Sequence, residues 1–198
     1  MLIRRLYLHE RPVYAAHLRR LAAGDRRLRF ARAGVGDEVI DEYVAGISAG
    51  DLILAALDGD ELVGGAHVAL NGPIAEVGVS VDETHRADGV GSALLRRAAA
   101  CARNRHAEKL YTLCLSDNRS MVALARRTGM DVRFQGGEAE AFLDLPPPDP
   151  LSVGEEVSAG LFALFHDWAE IMDCYSTLLV EGSPVTPLLE ASGLAKTA

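Results

Sequence analysis

Apolar positions along the first 145 residues switch between a period of two and a period near 3.6, and the switches predict the elements. Residues 2–8 read as a short strand, with helical patterns following at about 12–22 and 37–48. The second of these carries Val39, Ile40, Tyr43, Val44 and Ile47 at helical spacing. Asp51 to Leu57 and Glu61 to Leu70 alternate as strands around Asp58-Gly59-Asp60, a hairpin turn. Asn71-Gly72-Pro73 breaks to a strand over 74–81, and a helix over 90–104 sets Val90, Leu94, Ala98 and Cys101 on one face. A strand over 109–115, a helix over 118–128 and a hairpin, Asp131 to Phe134 and Glu138 to Leu145, complete the series. Strands mixed with helices in this order predict an α/β-type mixed sheet.

Beyond residue 145 the pattern changes. Pro146-Pro147-Pro148-Asp149-Pro150 reads as a stiff linker between a domain over 1–145 and a segment over 151–198. Ser152-x-x-Glu155 reads as a capping box, and apolar residues from Val157 through Leu161, Phe165, Trp168 and Met172 to Leu179 then recur for about six turns. A stripe this large cannot remain in water, so it is expected to pack against a second subunit in a symmetric dimer, or to fold back as a lid. Residues 182–198 read as a loose tail.

Composition narrows the class without naming a chemistry. No apolar run approaches the ~20 residues that cross a bilayer. Arg4, Arg5, His9, Glu10 and Arg11 interrupt any signal-peptide core, so a cytoplasmic protein with no membrane partner is expected. Cys101, Cys114 and Cys174 are odd in number and lack Cys-x-x-Cys spacing, which reads as reduced, buried cysteines. No His, Cys and carboxylate cluster has ligand spacing, so no metal is expected. The net charge of −8 is uneven: nine arginines before residue 33 face two carboxylates, while residues 146–198 hold eight carboxylates and one lysine. The arginines are interleaved with Val13, Ala16, Leu18 and Leu21 on a helical pattern, which favours a solvated or internally paired face over a nucleic-acid arm.

The chemistry concentrates at residues 81–95. The strand over 74–81 runs into Arg86-x-x-Gly89-x-Gly91, and an amphipathic helix starts at once. Glycines there let the backbone approach a ligand, and the free N–H groups of the new helix, with its dipole, attract an anion such as a pyrophosphate. Neither the P-loop pattern nor the Rossmann Gly-x-Gly-x-x-Gly is present. Along the strand, Ala75, Val77, Val79 and Val81 face one way, and Ile74, Glu76, Gly78 and Ser80 the other. A carboxylate amid apolar residues is costly unless it is solvated or used. Ser80 lacks a nucleophile elbow and reads as a polar edge residue, and His85, His106 and His166 read as surface residues.

Arg86-x-x-Gly89-x-Gly91 resembles the pyrophosphate loop of the Gcn5-related N-acetyltransferases (GNAT). A second stretch, Asn118-Arg119-Ser120-Met121-Val122-Ala123-Leu124-Ala125-Arg126-Arg127-Thr128-Gly129-Met130, resembles that family's Asn-x-x-Ala/Met-x-x-Leu-Tyr-x-x-x-Gly-Phe helix. The match holds at Asn118, Met121, Leu124 and Gly129. It departs at Ala125, where many members carry a proton-donating tyrosine. The wording is most similar to the acetyltransferase domain of bacterial Pat-type protein lysine acetyltransferases, and Arg26 to Phe30 adds to the likeness.

Over residues 1–145 the resemblance implies an α/β (α+β) fold, a mixed, mostly antiparallel twisted sheet flanked by helices. It implies acetyl-CoA as co-substrate, held by Val79, Val81, Arg86, Ala87, Asp88, Gly89, Val90, Gly91 and Ser92, with Asn118 near the pantetheine arm. Glu76 matches the general base of the Pat-type Ala-Glu strand. The implied activity is acetyl transfer to an amine, first of all a protein lysine. A small-molecule amine is the enzymatic alternative, and a catalytically weak acyl-CoA-binding regulator the other, kept open by Ala125. Tyr111 and Tyr43 are candidate proton donors that the sequence does not place.

Overall fold

The computed structural model describes residues 1–158 together with Gly160, Leu161, Phe165, Trp168 and Met172. Met1–Ser158 forms one compact unit and Ala159–Ala198 another. In the first unit seven strands form one sheet: β1 (Leu2–Leu6), β2 (Leu52–Asp58), β3 (Glu61–Asn71), β4 (Ile74–Val81), β5 (Lys109–Leu115), β6 (Asp131–Gln135) and β7 (Glu138–Asp144). Their order is β1-β2-β3-β4-β5-β7-β6. Every neighbouring pair is antiparallel except β4 with β5. The helices are α1 (Arg11–Arg20), α2 (Ala23–Phe30), α3 (Asp37–Ala45), α4 (Val90–Arg103) and α5 (Arg119–Arg127).

Two apolar layers sandwich the sheet. On one face α4 and α5 bury Leu94, Leu95, Ala98 and Leu124 against Leu54, Val68, Val77 and Leu110. On the other, α1 and α3 bury Tyr14, Leu18, Ile40 and Val44 against Ile53, Ala55 and Leu62. Strands β2 and β3, covered on both faces, have near-continuous buried runs rather than clean alternation. Gly65 of β3 brings α1 close: a Cβ there would lie 2.6 Å from the Tyr14 ring, while one on Gly64 would meet Val90 of α4 at 3.0 Å.

Strands β4 and β5 coincide with their expected bounds, and the other expected elements differ only at their ends. One element was not expected. Helix α2 has only Leu28 and Phe30 as large apolar residues among three arginines, too few to show a 3.6 period, and it stops at Ala31 in a left-handed conformation with φ 52° rather than at a glycine.

The polyproline stretch is tied down. Pro147's carbonyl accepts from Arg103 Nε at 3.0 Å, and Asp149 pairs with the same guanidinium. Residues 150–158 are helical, capped by Asp149, whose Oδ1 accepts from Ser152 N at 2.8 Å. The cap expected at Ser152 lies three residues earlier, because Pro150 occupies a first-turn position that needs no N–H partner. Glu156 accepts from Arg105 and Asn104, so residues 146–158 belong with the first unit. In the second unit Leu161, Phe165, Trp168 and Met172 are exposed, and the rest of the expected stripe, with His166 and Cys174, lies outside the described residues.

Most of the arginines before residue 33 are paired inside the first unit. Arg19 meets Asp41, Arg20 meets Asp82, Arg26 meets Asp37 and Arg27 meets Asp117. Cys101 and Cys114 are buried free thiols, and burial with the neighbouring Glu156 pushes Cys101 up to about 11. No helix among the described residues is long and apolar enough to cross a membrane.

Candidate active site

The site forms where β4 and β5 part. Their parallel pairing runs through Ile74↔Lys109 and Ala75↔Leu110 to Glu76↔Tyr111, and ends there. Beyond that point β4 continues to pair with β3 without a register shift, from Val77↔Val68 to Val81↔Gly64. The side chains therefore alternate as expected: Val77 is buried under α4, while exposed Glu76, half-buried Gly78 and buried Ser80 face the α1–α2 side. Asp82 N donates to Val63 O, so the backbone groups of Val79 and Val81, at odd steps from it, point away from β3 toward the widening gap.

The loop after β4 supplies a second set of backbone donors. Arg86, Ala87, Asp88 and Gly89 are exposed, Val90 is buried, and Gly91 and Ser92 are half-buried. Gly89 is the N-cap of α4 at φ 84°, a conformation that favours glycine, and no side chain caps the helix. The first helical bond runs from Ala93 N to Gly89 O at 3.0 Å. The N–H groups of Val90, Gly91 and Ser92 precede it and point outward at the positive end of the helix dipole. Gly91 has a packing role as well: a Cβ there would lie 3.3 Å from Leu124 Cδ2 of α5. These donors suit a pyrophosphate. Among the described residues, no group of three His, Cys, Asp or Glu side chains converges as metal ligands would.

Helix α2, absent from the sequence-based expectation, lies across the parting strands. Asp25 pairs with Arg86 at 2.7 Å, and Arg86 also reaches the Val81 carbonyl at 3.3 Å. Arg27 pairs with Asp117 at 3.0 Å, and Asn118 Nδ2 lies 3.5 Å from the Leu28 carbonyl. Asn118 is the N-cap of α5, its Oδ1 accepting from Met121 N at 3.1 Å. Between these two ends Arg29 lies over Gly78, where a Cβ would be 2.5 Å from the guanidinium carbon.

Arg29 heads a polar chain. It donates to Tyr43 Oη at 2.7 Å and to Tyr14 Oη at 3.3 Å. Tyr43 Oη meets His67 Nδ1 at 2.7 Å, and His67 Nε2 lies 3.3 Å from Asp51. With Arg29 donating to Tyr43, the phenol donates onward to His67 and the imidazole donates to Asp51. Burial and the Arg29 charge hold His67 below its ordinary value despite Asp51. Burial likewise pushes the Tyr43 phenol up, leaving it protonated.

Ser80 is buried, not at an edge. Its Oγ lies 2.9 Å from Nε2 of His17, which has no exposed surface, and His17 Nδ1 lies 3.2 Å from Asp82. The order Ser-His-Asp matches hydrolase triads, but Nδ1 makes no aligned hydrogen bond, and Ser80 and His17 are buried; the group fastens α1 to β4. Burial pushes Asp82 up, yet His17 and Arg20 outweigh it and hold the carboxyl below its usual range. His85, read as a surface residue, is half-buried and lies 3.7 Å from Asp58 at the end of β2.

Neither candidate tyrosine is idle. Tyr43's proton is engaged by His67, and Tyr111 donates to Glu140 at 3.3 Å. Burial, then Glu140 and Glu76, push the Tyr111 phenol up. Ala125 is sealed in the core against α4 and β7 and supplies no proton. A shallow hollow lined by Asn104, His106, Pro148 and Val153 lies at the far end of α4, about 20 Å from the loop, and takes no part in the site.

Residues 18–130 match the Acetyltransferase (GNAT) family, and the chain belongs to it. No protein of curated function matches the sequence. Among solved structures, the GNAT domain of S. lividans PAT superposes with a TM-score of 0.63 at 21% identity, over 72% of this chain and 89% of that one. A phosphinothricin acetyltransferase from Sinorhizobium meliloti in complex with AcCoA gives 0.56 at 16%, covering 75% and 93%. Spermidine N-acetyltransferase from Vibrio cholerae, in complex with CoA and spermine, gives 0.57 at 16%, covering 72% and 94%.

Proposed function

We propose that this chain transfers an acetyl group from acetyl-CoA to a primary amine at the parting of β4 and β5. The observation that carries the reading is the uncapped start of α4, with Gly89 left-handed, set at the end of the strand that holds Glu76 at its last paired position. The N–H groups of Val90, Gly91 and Ser92 hold the pyrophosphate, with Arg86, Ala87, Asp88 and Gly89 shaping the loop. The backbone of Val79 and Val81 lines the gap, and Asn118 closes it from α5.

Acetyl-CoA, when bound, supplies an acetyl thioester whose C–S bond breaks as the amine's N–C bond forms, the electron pair leaving with sulfur. Glu76 faces the α2 side, solvent-accessible, and takes the proton of the attacking amine, directly or through one water. With Ala125 in place of a donor, sulfur leaves as thiolate.

The wording of the Asn118 helix supports a protein lysine as acceptor, and a small amine fits the same base. The apolar stripe beyond Ser158 supports a dimer or a lid, and the free thiols support a cytosolic location. Release of CoA thiol in the presence of a mixed panel of lysyl peptides and small amines tests the assignment. Amine-dependent release is expected; acetyl-CoA binding with no release for any amine leaves the regulator instead.

A further inference from the structure

Among the described residues Arg29 is a cation paired with no anion. Among the described residues its polar partners are the two phenols, its Nε is sealed from solvent with no partner, and no carboxylate pairs with it. Burial disfavours its charge and the oxygens of Tyr14 and Tyr43 favour it, the balance lying toward the charged form. The rings of Phe30 and Tyr43 lie 5.3 and 5.4 Å from its guanidinium carbon. A desolvated charge without a counter-ion is destabilising unless a group from outside the fold completes it. Arg29 as a residue keeps partial access to solvent.

Its position says which group. The guanidinium lies over Gly78, on the same face of β4 as Glu76 and two residues along, a spacing of about 6.6 Å. A small acceptor with its amine at Glu76 therefore has its far end at Arg29. A guanidinium fork matches a carboxylate in a bidentate manner and repels a second cation. The remaining members of the chain keep Arg29 aimed. Tyr43 is locked as an acceptor toward Arg29 because its own proton goes to His67, and His67 is fixed by Asp51.

We propose that Arg29, positioned by Tyr14 and Tyr43, is the acceptor-binding residue, and that it selects amines carrying a nearby carboxylate: free amino acids rather than polyamines or lysines within proteins. The inference rests on the acetyl-transfer reading of the same cleft and, of its two acceptor classes, takes the small amine over the protein lysine.

The test compares each of the twenty free amino acids with its primary amide by CoA thiol release. One or more free acids are expected to be acetylated with kcat/KM at least about 10²-fold above the matched amide, as for sites built to pair a polar group. Arg29→Met is expected to raise KM for those acids by a similar factor while changing it far less for the amides, and Arg29→Lys to restore part of the preference. Amides or lysyl peptides used as well as the acids by the unaltered protein would overturn the proposal while leaving acetyl transfer intact, as would equal losses for acid and amide in Arg29→Met. If no amine is acetylated, acetyl transfer itself fails. Calorimetric titration with the N-acetyl acids and N-acetyl amides then decides: Arg29-dependent binding of the acids alone supports the anion site, and no preference overturns it.

Discussion

Asp25 of α2 and Arg86 of the loop before α4 form an ion pair at 2.7 Å, joining the helix over the cleft to the segment that carries the phosphate-binding backbone. Arg86 is thereby held by groups of its own chain, Asp25 and the Val81 carbonyl, and must leave Asp25 to meet a ligand phosphate. Both side chains keep solvent access, so the pair is worth no more than about 1 kcal/mol. Asp25→Asn is expected to tighten acetyl-CoA binding by about fivefold at most, with little change in melting temperature. Weaker binding in the variant would mean that Asp25 orients the loop rather than competing for it.

Glu76 and Tyr111 are the last register partners before the two parallel strands separate. Removal of a general base lowers turnover by about 10²–10⁴. Glu76→Gln is expected to lose kcat in that range while its calorimetric affinity for acetyl-CoA stays within about twofold. Turnover that survives across pH 6–9 would move the proton to water or to another group.

The two loop glycines are constrained for different reasons, which substitutions separate. Gly89 adopts φ 84° with open space around it, so Gly89→Ala meets no clash but carries left-handed strain of about 1–2 kcal/mol. Gly91 has ordinary backbone but faces Leu124 at 3.3 Å. Gly91→Val is therefore expected to lower both stability and acetyl-CoA affinity, and Leu124→Ala in the same chain to recover part of the affinity. Calorimetry and thermal melts on the single and double variants check this. An unchanged affinity in Gly91→Val would separate the loop from phosphate binding.

Much of this architecture is legible in the sequence because it is local. The facing of β4 follows from period-two alternation and holds because β3 and β4 pair without a bulge from Asn71↔Ile74 to Gly64↔Val81. The start of α4 follows from the glycines at 89 and 91. Helix α2 was not legible, since eight residues with three arginines and two large apolar side chains carry no period, and its place over the cleft is set by distant partners: Gly78, Arg86 and Asp117. The burial of Ser80 has the same origin, because its partner His17 is 63 residues away in the chain. In the sequence Arg29 belongs to a basic run and to the Arg26–Phe30 stretch that adds to the family likeness, and neither gives it a site role. Its role in the fold depends on Tyr14, Tyr43 and His67 converging from three elements.

The stripe at Leu161, Phe165, Trp168 and Met172 is exposed, and residues up to Ser158 are fastened to the first unit. Truncation belongs after Ser158 rather than at the proline run, where it would strip Glu156 from Arg105. Light scattering of the intact chain at tens of micromolar is expected to give twice the monomer mass, and of the truncated chain one. A monomeric intact chain removes the dimer and leaves the lid.

His67 makes stability depend on pH with a definite sign. Burial first, and then the Arg29 charge, hold its folded-state value below the ordinary one of about 6.5, against the pull of Asp51. Between the folded value and 6.5 the unfolded chain binds the proton and the folded chain does not. Stability therefore rises with pH across that window, is fully present above about 6.5, and is lost as pH falls through the folded value. One proton limits the slope to about 1.4 kcal/mol per pH unit. Asp82, also held below its usual range, contributes in the same direction at lower pH, so the comparison must be made between chains that differ only at residue 67. His67→Gln keeps a side chain able to bond Tyr43 and Asp51 but removes the titration. Thermal melts from pH 4.5 to 7 are expected to show a shallower rise for His67→Gln than for the unaltered chain, with the two curves running parallel above about 6.5. Parallel curves throughout would mean that His67 titrates alike in the folded and unfolded chains, and that the Arg29 charge does not reach it.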